Sequence, residues 1–154
     1  MGLAEDARHE WEALETLRAR AHGAPIIVPP TVIQELVAGA EVFDDQHRRE
    51  LALRALTSML DWGLAPVSLI PAGHGIVERI GAKLRAKGLL PPGEVNDSLI
   101  VAESGLLEAD FLITSDEHLL GIDPNRLRAE LAACDVSTVL PIHPRLIAKY
   151  FPRR

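Results

Sequence analysis

Cysteine, long apolar runs and aromatic side chains are all scarce in this 154-residue sequence. A single cysteine, Cys134, excludes an internal disulfide framework and a zinc centre built from several cysteines, and we expect it to be an ordinary half-buried residue. No apolar run approaches the roughly 20 residues that cross a bilayer, and the charged start MGLAEDARHEWEAL has no signal-peptide core. These absences predict a cytoplasmic protein without a membrane-spanning segment.

Positive charge is also in deficit, because the formal net charge is −6. A partner such as RNA would then have to be held by a local basic patch, or by metal ions that offset the carboxylates. Basic residues on one predicted helix and near the carboxyl end are the candidate phosphate contacts: Arg79, Lys83, Arg145 and Lys149. Such residues are usually only solvated. Aromatic residues make up 4% of the chain, which argues against specific stacking on single-stranded bases.

The residues that are abundant indicate one α/β domain spanning 1–154. Apolar residues make up 47% of the chain and charged residues 25%, a balance that supports an ordinary buried core. Short β-branched runs predict strands at 25–28, 65–70, 110–114 and 136–140. Periodic segments predict helices at 4–21, 31–40, 44–62, 74–87, 94–107, 123–133 and 144–150, with a short helical turn after 114. Thr31, Asp44 or Asp45, and Asp123 are the expected helix caps.

This alternation of helices and strands predicts a three-layer α/β/α sandwich around a short, mostly parallel sheet. Ligands of such folds bind beyond the carboxyl ends of the strands. Three segments place acids near these ends: PPTVIQELV with Glu35, GEVNDSLIVAESGLL with Glu94 and Asp97, and FLITSDEHLL with Asp116. The sequence therefore indicates these carboxylates as candidate site residues.

Each acid also has an ordinary structural interpretation. Glu35 could be a solvated residue on the outer side of a helix, Asp97 could complement a helix dipole, and Asp116 could cap the following turn. Glu94 and Asp97, three residues apart, share a helix face and could act jointly. Carboxylates brought together repel one another, and a hard divalent cation such as Mg²⁺ relieves that repulsion.

These segments resemble the PIN domain of VapC-like toxin nucleases and related ribonucleases. The matching stretches are PPTVIQELV, NDSLIVAESGLLEADFLITSDEHL and VSTVLPIHP, and the resemblance covers about residues 25–150. It implies an endoribonuclease that uses Mg²⁺ or Mn²⁺, with Glu35, Asp97 and Asp116 as acidic site residues and metal ligands and Glu94 as a reserve ligand. By the same resemblance Thr114 or Ser115 orients a carboxylate or a water, beside Asn96.

The resemblance also implies partners and exposes a departure. A cognate antitoxin and a homodimer are expected from the family, together with RNA as the substrate. The family begins with a central strand that carries an aspartate, whereas this sequence begins with a predicted helix. The chain is then either a form shortened at its amino terminus or a degenerate member, and we expect it to be less stable and less active than a complete one.

The sequence leaves two other functions to consider. A non-catalytic PIN-like module that binds RNA or a protein is the main alternative. A receiver-like signalling domain is disfavoured, because no acid cluster follows the first strand and no lysine follows the last one in the expected way. The six histidines show no zinc-ligand spacing, and among them only His118, close to Asp116, merits a site hypothesis.

Overall fold

The computed structural model describes residues 12–20, 23–42, 44–147 and 150. Helix α1 covers 12–20 within this part of the chain. The other helices are α2 Pro30–Ala40, α3 Gln46–Asp61, α4 Pro71–Ala86, α5 Val95–Leu106, α6 Glu117–Leu120, α7 Pro124–Ala132 and α8 Pro144–Ile147. The strands are β1 Ile27–Val28, β2 Ala65–Pro66, β3 Phe111–Ile113 and β4 Leu140–Ile142. The predicted helix residues 4–11 and 21, and residues 148–149 of the last predicted helix, lie outside the described residues.

Two predicted helix caps are confirmed and one is wrong. The Asp45 carboxylate accepts a hydrogen bond from the Arg48 amide (2.9 Å), and the Asp123 carboxylate accepts one from the Arg126 amide (2.8 Å). Thr31 was expected to cap α2, but that helix starts one residue earlier, and Pro29 occupies the cap position without a side-chain bond. Thr31 is instead buried in the first turn of α2.

The strands form two separate two-stranded sheets, β1–β2 and β3–β4, and both pairs are parallel. This confirms a mixed fold with parallel strands, but the strands are shorter than predicted. The last strand is displaced from 136–140 to Leu140–Ile142. The reason is that the Ser137 amide donates to the Gly105 carbonyl at the end of α5 (3.2 Å), so the preceding segment serves to close that helix.

Helices α4 and α5 form the centre of the main core. Gly81 on α4 lies so close to Ser98 on α5 that a β-carbon there would be 3.0 Å from the Ser98 hydroxyl oxygen. The most deeply buried members of this core are Val77, Leu84, Leu90, Val101, Ala102, Leu127, Leu131 and Val139. This close packing fixes α5, which carries most of the residues singled out below. Among the described helices, none has both the length and the apolar character required to span a membrane.

Candidate metal centre

The acids of the best-matching stretch lie at the start of α5 and after the end of β3. Glu94 is the residue before α5, and Asp97 lies in its first turn. Asp116 follows β3 and caps the short helix α6, which contains His118. The tight packing of α5 and the end of the β3–β4 pair thus bring two sequence-distant segments together.

Three side chains have ligand atoms close enough to share one cation. One ligand atom from each of Glu94, Asp97 and His118 lies within 4.8 Å of the other two. The His118 Nδ1 atom is 3.6 Å from Glu94 Oε1 and 3.9 Å from Asp116 Oδ1. Glu94, predicted only as a reserve ligand, and His118, given little weight in the sequence, therefore stand at the centre of this group.

Backbone hydrogen bonds hold the Asp116 carboxylate in place. Its Oδ1 atom accepts from the amides of His118 (2.7 Å) and Leu119 (3.2 Å). The Thr114 hydroxyl oxygen accepts from the Asp116 amide (3.0 Å), which fixes the turn from the other side. The cap interpretation of Asp116 is confirmed, and it is compatible with a ligand role because both bonds use one oxygen. Ser115 is exposed.

Glu35 lies beside the group but is not one of its three mutually close members. Its Oε1 atom accepts a hydrogen bond of 2.7 Å from the Asn96 amide group, so Asn96 links α2 to the first turn of α5. Glu35 is exposed. The structure therefore orients Glu35 next to the acids of α5, and its metal-binding role stays a prediction.

The proximity of these acids changes the pKa of Asp97. Partial burial is the largest cause, and together with the negative charges of Asp116, Glu94 and Glu35 it raises the pKa of Asp97 to about 6, while His118 acts in the opposite direction. The two other residues predicted as ligands, Glu35 and Asp116, and the reserve ligand Glu94 are thus all close enough to act electrostatically on Asp97. A cation bound among them would remove this repulsion.

A buried carboxylate that the sequence did not single out joins α5, which carries Asp97, to α2, which carries Glu35. Glu103 is 2% exposed and accepts hydrogen bonds from the Thr31 hydroxyl (2.7 Å) and the Thr31 amide (3.1 and 3.3 Å). Burial raises the pKa of Glu103, and the bonds from Thr31 oppose that rise. Its one sequence signal was an acid in the middle of an otherwise apolar helix.

The described phosphate contacts that the sequence predicted lie on two helices, Arg79 and Lys83 on α4 and Arg145 on α8. Lys83 lies 3.3 Å from Glu130 and 3.4 Å from the Cys134 sulfur, and its hydrogen bond to Glu130 raises its pKa. Arg79 is exposed on the same helix. Arg145 lines a small surface depression with residues of α1, and Lys149 lies outside the described residues.

The donor set fits a divalent cation that prefers oxygen. Two carboxylates, an imidazole and a third carboxylate nearby suit Mn²⁺, and Mg²⁺ would use the oxygens with several waters. No family model, curated protein or solved structure matches this chain.

Proposed function

We propose that this chain is a PIN-like, metal-dependent endoribonuclease that hydrolyses RNA phosphodiester bonds. The observation that carries the proposal is the meeting of Glu94, Asp97 and His118 ligand atoms within 4.8 Å, beside Asp116 at the carboxyl end of β3. That position is where ligands of parallel α/β folds bind. The mixture of helices with parallel strand pairs is compatible with an α/β fold, and a three-layer sandwich of the PIN type is part of the proposal.

The residues have distinct tasks in this proposal. Glu94, Asp97 and His118 bind the cation, and Asp116, held by two backbone amides, binds it or a water next to it. A bound Mg²⁺ or Mn²⁺ supplies a more nucleophilic water and stabilises charge on the phosphate. Asn96 and Thr114 act through hydrogen bonds that orient Glu35 and the Asp116 turn.

The test is cleavage of a labelled single-stranded RNA of mixed sequence with Mg²⁺, Mn²⁺ or EDTA. We expect cleavage with either metal and none with EDTA. Asp97→Asn and Asp116→Asn should each reduce the rate about 100-fold, since metal polarisation contributes several kcal/mol and each 1.36 kcal/mol is about tenfold. Asp61→Asn is the matched control, because it removes an exposed carboxylate from the end of α3. Rates unaffected at both site positions would refute the assignment.

A non-catalytic binding module is the second candidate, and the division of the strands into two sheets favours it. In that case the RNA would bind, as measured by fluorescence anisotropy, without any cleavage in either metal. A cognate antitoxin and a homodimer rest on the family resemblance alone.

A further inference from the structure

The end of α4 and the start of α7 bring two basic residues together at the surface. The Arg126 guanidinium donates a hydrogen bond of 2.7 Å to the Lys87 carbonyl oxygen. Lys87 is the residue after α4, and Arg126 lies in the first turn of α7. Both residues are exposed. Lys87 and Arg126 are called the cationic pair below.

The bond between them has a structural role, because the Lys87 carbonyl belongs to the negatively polarised end of α4. Such a helix end carries roughly half a unit of negative charge. The cationic pair brings a full positive charge from each of its members. The Arg126 guanidinium has several N–H donors, and one of them makes the bond to Lys87. Capping α4 therefore leaves positive charge and hydrogen-bond donors for a ligand.

Neighbouring carboxylates do not neutralise the cationic pair. In the parts of the chain that the structure describes, no carboxylate forms an ion pair with Lys87 or Arg126. The Asp123 carboxylate accepts from the Arg126 amide instead (2.8 Å). Lys83, which the sequence predicted as a phosphate contact, does have such a partner, since its Nζ atom lies 3.3 Å from Glu130. The cationic pair is therefore better suited than Lys83 to bind an anion.

Two segments of the chain connect the cationic pair with the candidate metal centre. One runs from Lys87 to Glu94, and the other runs from His118 to Arg126. They meet at both ends, because His118 Nδ1 is 3.6 Å from Glu94 Oε1 and Arg126 bonds to Lys87. The seven steps from Lys87 to Glu94 span at most about 25 Å when fully extended. A turn closed by the bond from the Glu94 amide to the Pro91 carbonyl (3.1 Å) shortens this distance.

Both segments are anchored in the main core between their ends. Leu89 and Leu90 of the first segment are buried there, and so are Leu119, Ile122 and Leu127 of the second segment and its continuation in α7. These anchors hold the cationic pair and the metal centre at a fixed separation. A ligand that contacts both places therefore needs little reordering of the chain.

We propose that Lys87 and Arg126 bind a backbone phosphate of the RNA strand, a few nucleotides from the phosphodiester bond that lies at the metal centre. This inference rests on the proposed function for the choice of RNA as the ligand. An ammonium and a guanidinium both bind phosphate oxygens by charge-assisted hydrogen bonds. In a chain of net charge −6, a local cationic site of this kind offsets the repulsion of a polyanion. Contacts to phosphate position the strand without reading its bases.

Binding is measured first in EDTA, which removes the contribution of a bound cation. The probe is a fluorescein-labelled single-stranded RNA of about 12 nucleotides, within the ~4–16 nucleotides of known single-strand sites. Its anisotropy is recorded with the whole chain at several salt concentrations. For single strands, each neutralised phosphate contributes about 0.7 to the slope of log K against log salt. Lys87→Gln and Arg126→Gln should therefore each make that slope about 0.7 less steep.

Two further variants separate phosphate binding from other effects. Arg54→Gln removes the same charge from an exposed position on α3 and should leave the slope unchanged. Arg126→Lys keeps the positive charge and should retain most of the slope. Urea midpoints of all variants measure the structural share of the bond to Lys87, which is independent of RNA.

Cleavage gives a second readout. With Mn²⁺, Lys87→Gln and Arg126→Gln should raise KM severalfold and leave kcat unchanged, because the cationic pair binds a part of the strand that does not react. The metal-ligand variants Asp97→Asn and Asp116→Asn should instead lower kcat. The two sets of variants thus report on the cationic pair and on the nuclease centre separately.

Two outcomes would overturn the inference. The first is an unchanged salt slope and KM in both variants; a lowered urea midpoint for Arg126→Gln would then show that Arg126 only caps α4, and continued cleavage would leave the nuclease proposal in place. The second is absence of RNA binding by the wild-type protein in EDTA. Binding that both variants weaken, without cleavage in either metal, would instead support the cationic pair and refute the nuclease.

Discussion

Replacing Glu103 by alanine tests how strongly the buried carboxylate holds α2 against α5. Glu103 is 2% exposed, and its carboxylate is the acceptor for both the amide and the hydroxyl of the buried Thr31. Glu103→Ala would leave these two donors without that partner. Each buried donor left unsatisfied costs about 1–3 kcal/mol, so we expect a loss of about 2–5 kcal/mol in the free energy of unfolding.

The loss should be visible in urea unfolding followed by far-UV circular dichroism. At this chain length, 1 kcal/mol corresponds to about 2–4 °C, so the melting temperature should fall by roughly 4–20 °C. Glu103→Gln is the matched control, because it keeps an acceptor oxygen for Thr31 while removing the charge that burial disfavours. An unchanged urea midpoint for Glu103→Ala would refute the inferred role of the carboxylate.

Comparing the wild-type protein with Glu103→Gln at several pH values tests whether the Glu103 pKa is raised. Burial raises the pKa of Glu103 above its ordinary value of 4.5 in the folded state. Its contribution to stability is therefore fully present below pH 4.5 and declines as the pH rises through the folded-state pKa. From acid to neutral pH, the free energy of unfolding of the wild-type protein should therefore fall by more than that of Glu103→Gln. Identical pH profiles would show that the carboxyl is not perturbed.

Three further predictions concern the site, two glycines and a helix cap. Because the pKa of Asp97 is raised to about 6, protonated Asp97 stabilises the metal-free fold at acid pH, and this stabilisation is lost as the pH rises. Mg²⁺ should therefore raise the melting temperature more at pH 8 than at pH 5. Asp97→Asn should abolish this rise, and a rise retained by that variant would contradict the ligand role of Asp97. Gly105→Ala should destabilise the protein by about 1–3 kcal/mol, because the added β-carbon would lie 3.0 Å from the Ser137 carbonyl oxygen. Gly75→Ala, which has open space around it in α4, should stabilise the protein by about 0.5–1 kcal/mol. If the urea midpoints of both variants shifted in the same direction, the packing argument would be contradicted. Asp123→Ala should cost about 1 kcal/mol in thermal unfolding by removing the cap of α7, and an unchanged midpoint would show that the bond to Arg126 contributes nothing.

Local signals predicted most of the helices. The Asp45 and Asp123 caps were identified correctly because a cap depends on a few neighbouring residues. Thr31 was misassigned for an instructive reason. Its amide and hydroxyl bond to Glu103, 72 positions away, and a contact of that separation leaves no trace in the local pattern.

Strands were less predictable than helices. The β-branched run at 136–140 has the composition of a strand, yet the paired residues are Leu140–Ile142. Which residues pair is decided by where the partner β3 lies and by the hydrogen bond that ties Ser137 to the end of α5. Strand position depends on the neighbour as much as on the strand itself.

In the candidate site, too, some residues could be predicted from local sequence and others only from the folded chain. Asp97 and Asp116 were identified from their places at a helix start and a strand end, because these places follow from local sequence. The central place of Glu94 and His118 depends on the 3.6 Å distance between their side chains, which belong to two segments that only the folded chain brings together. The displacement of Glu35 toward Asn96 has the same origin.

The sequence by itself determined most of the helical segments, the caps of α3 and α7, the parallel character of the strands and the places where acids would gather. These properties follow from periodicity, propensity and the residues next to each position. Tertiary structure alone decided that the strands divide into two pairs, that Glu103 joins α2 to α5, and that His118 reaches Glu94. Each of these depends on contacts between residues distant in sequence, whose geometry is fixed only when the helices and strands pack together.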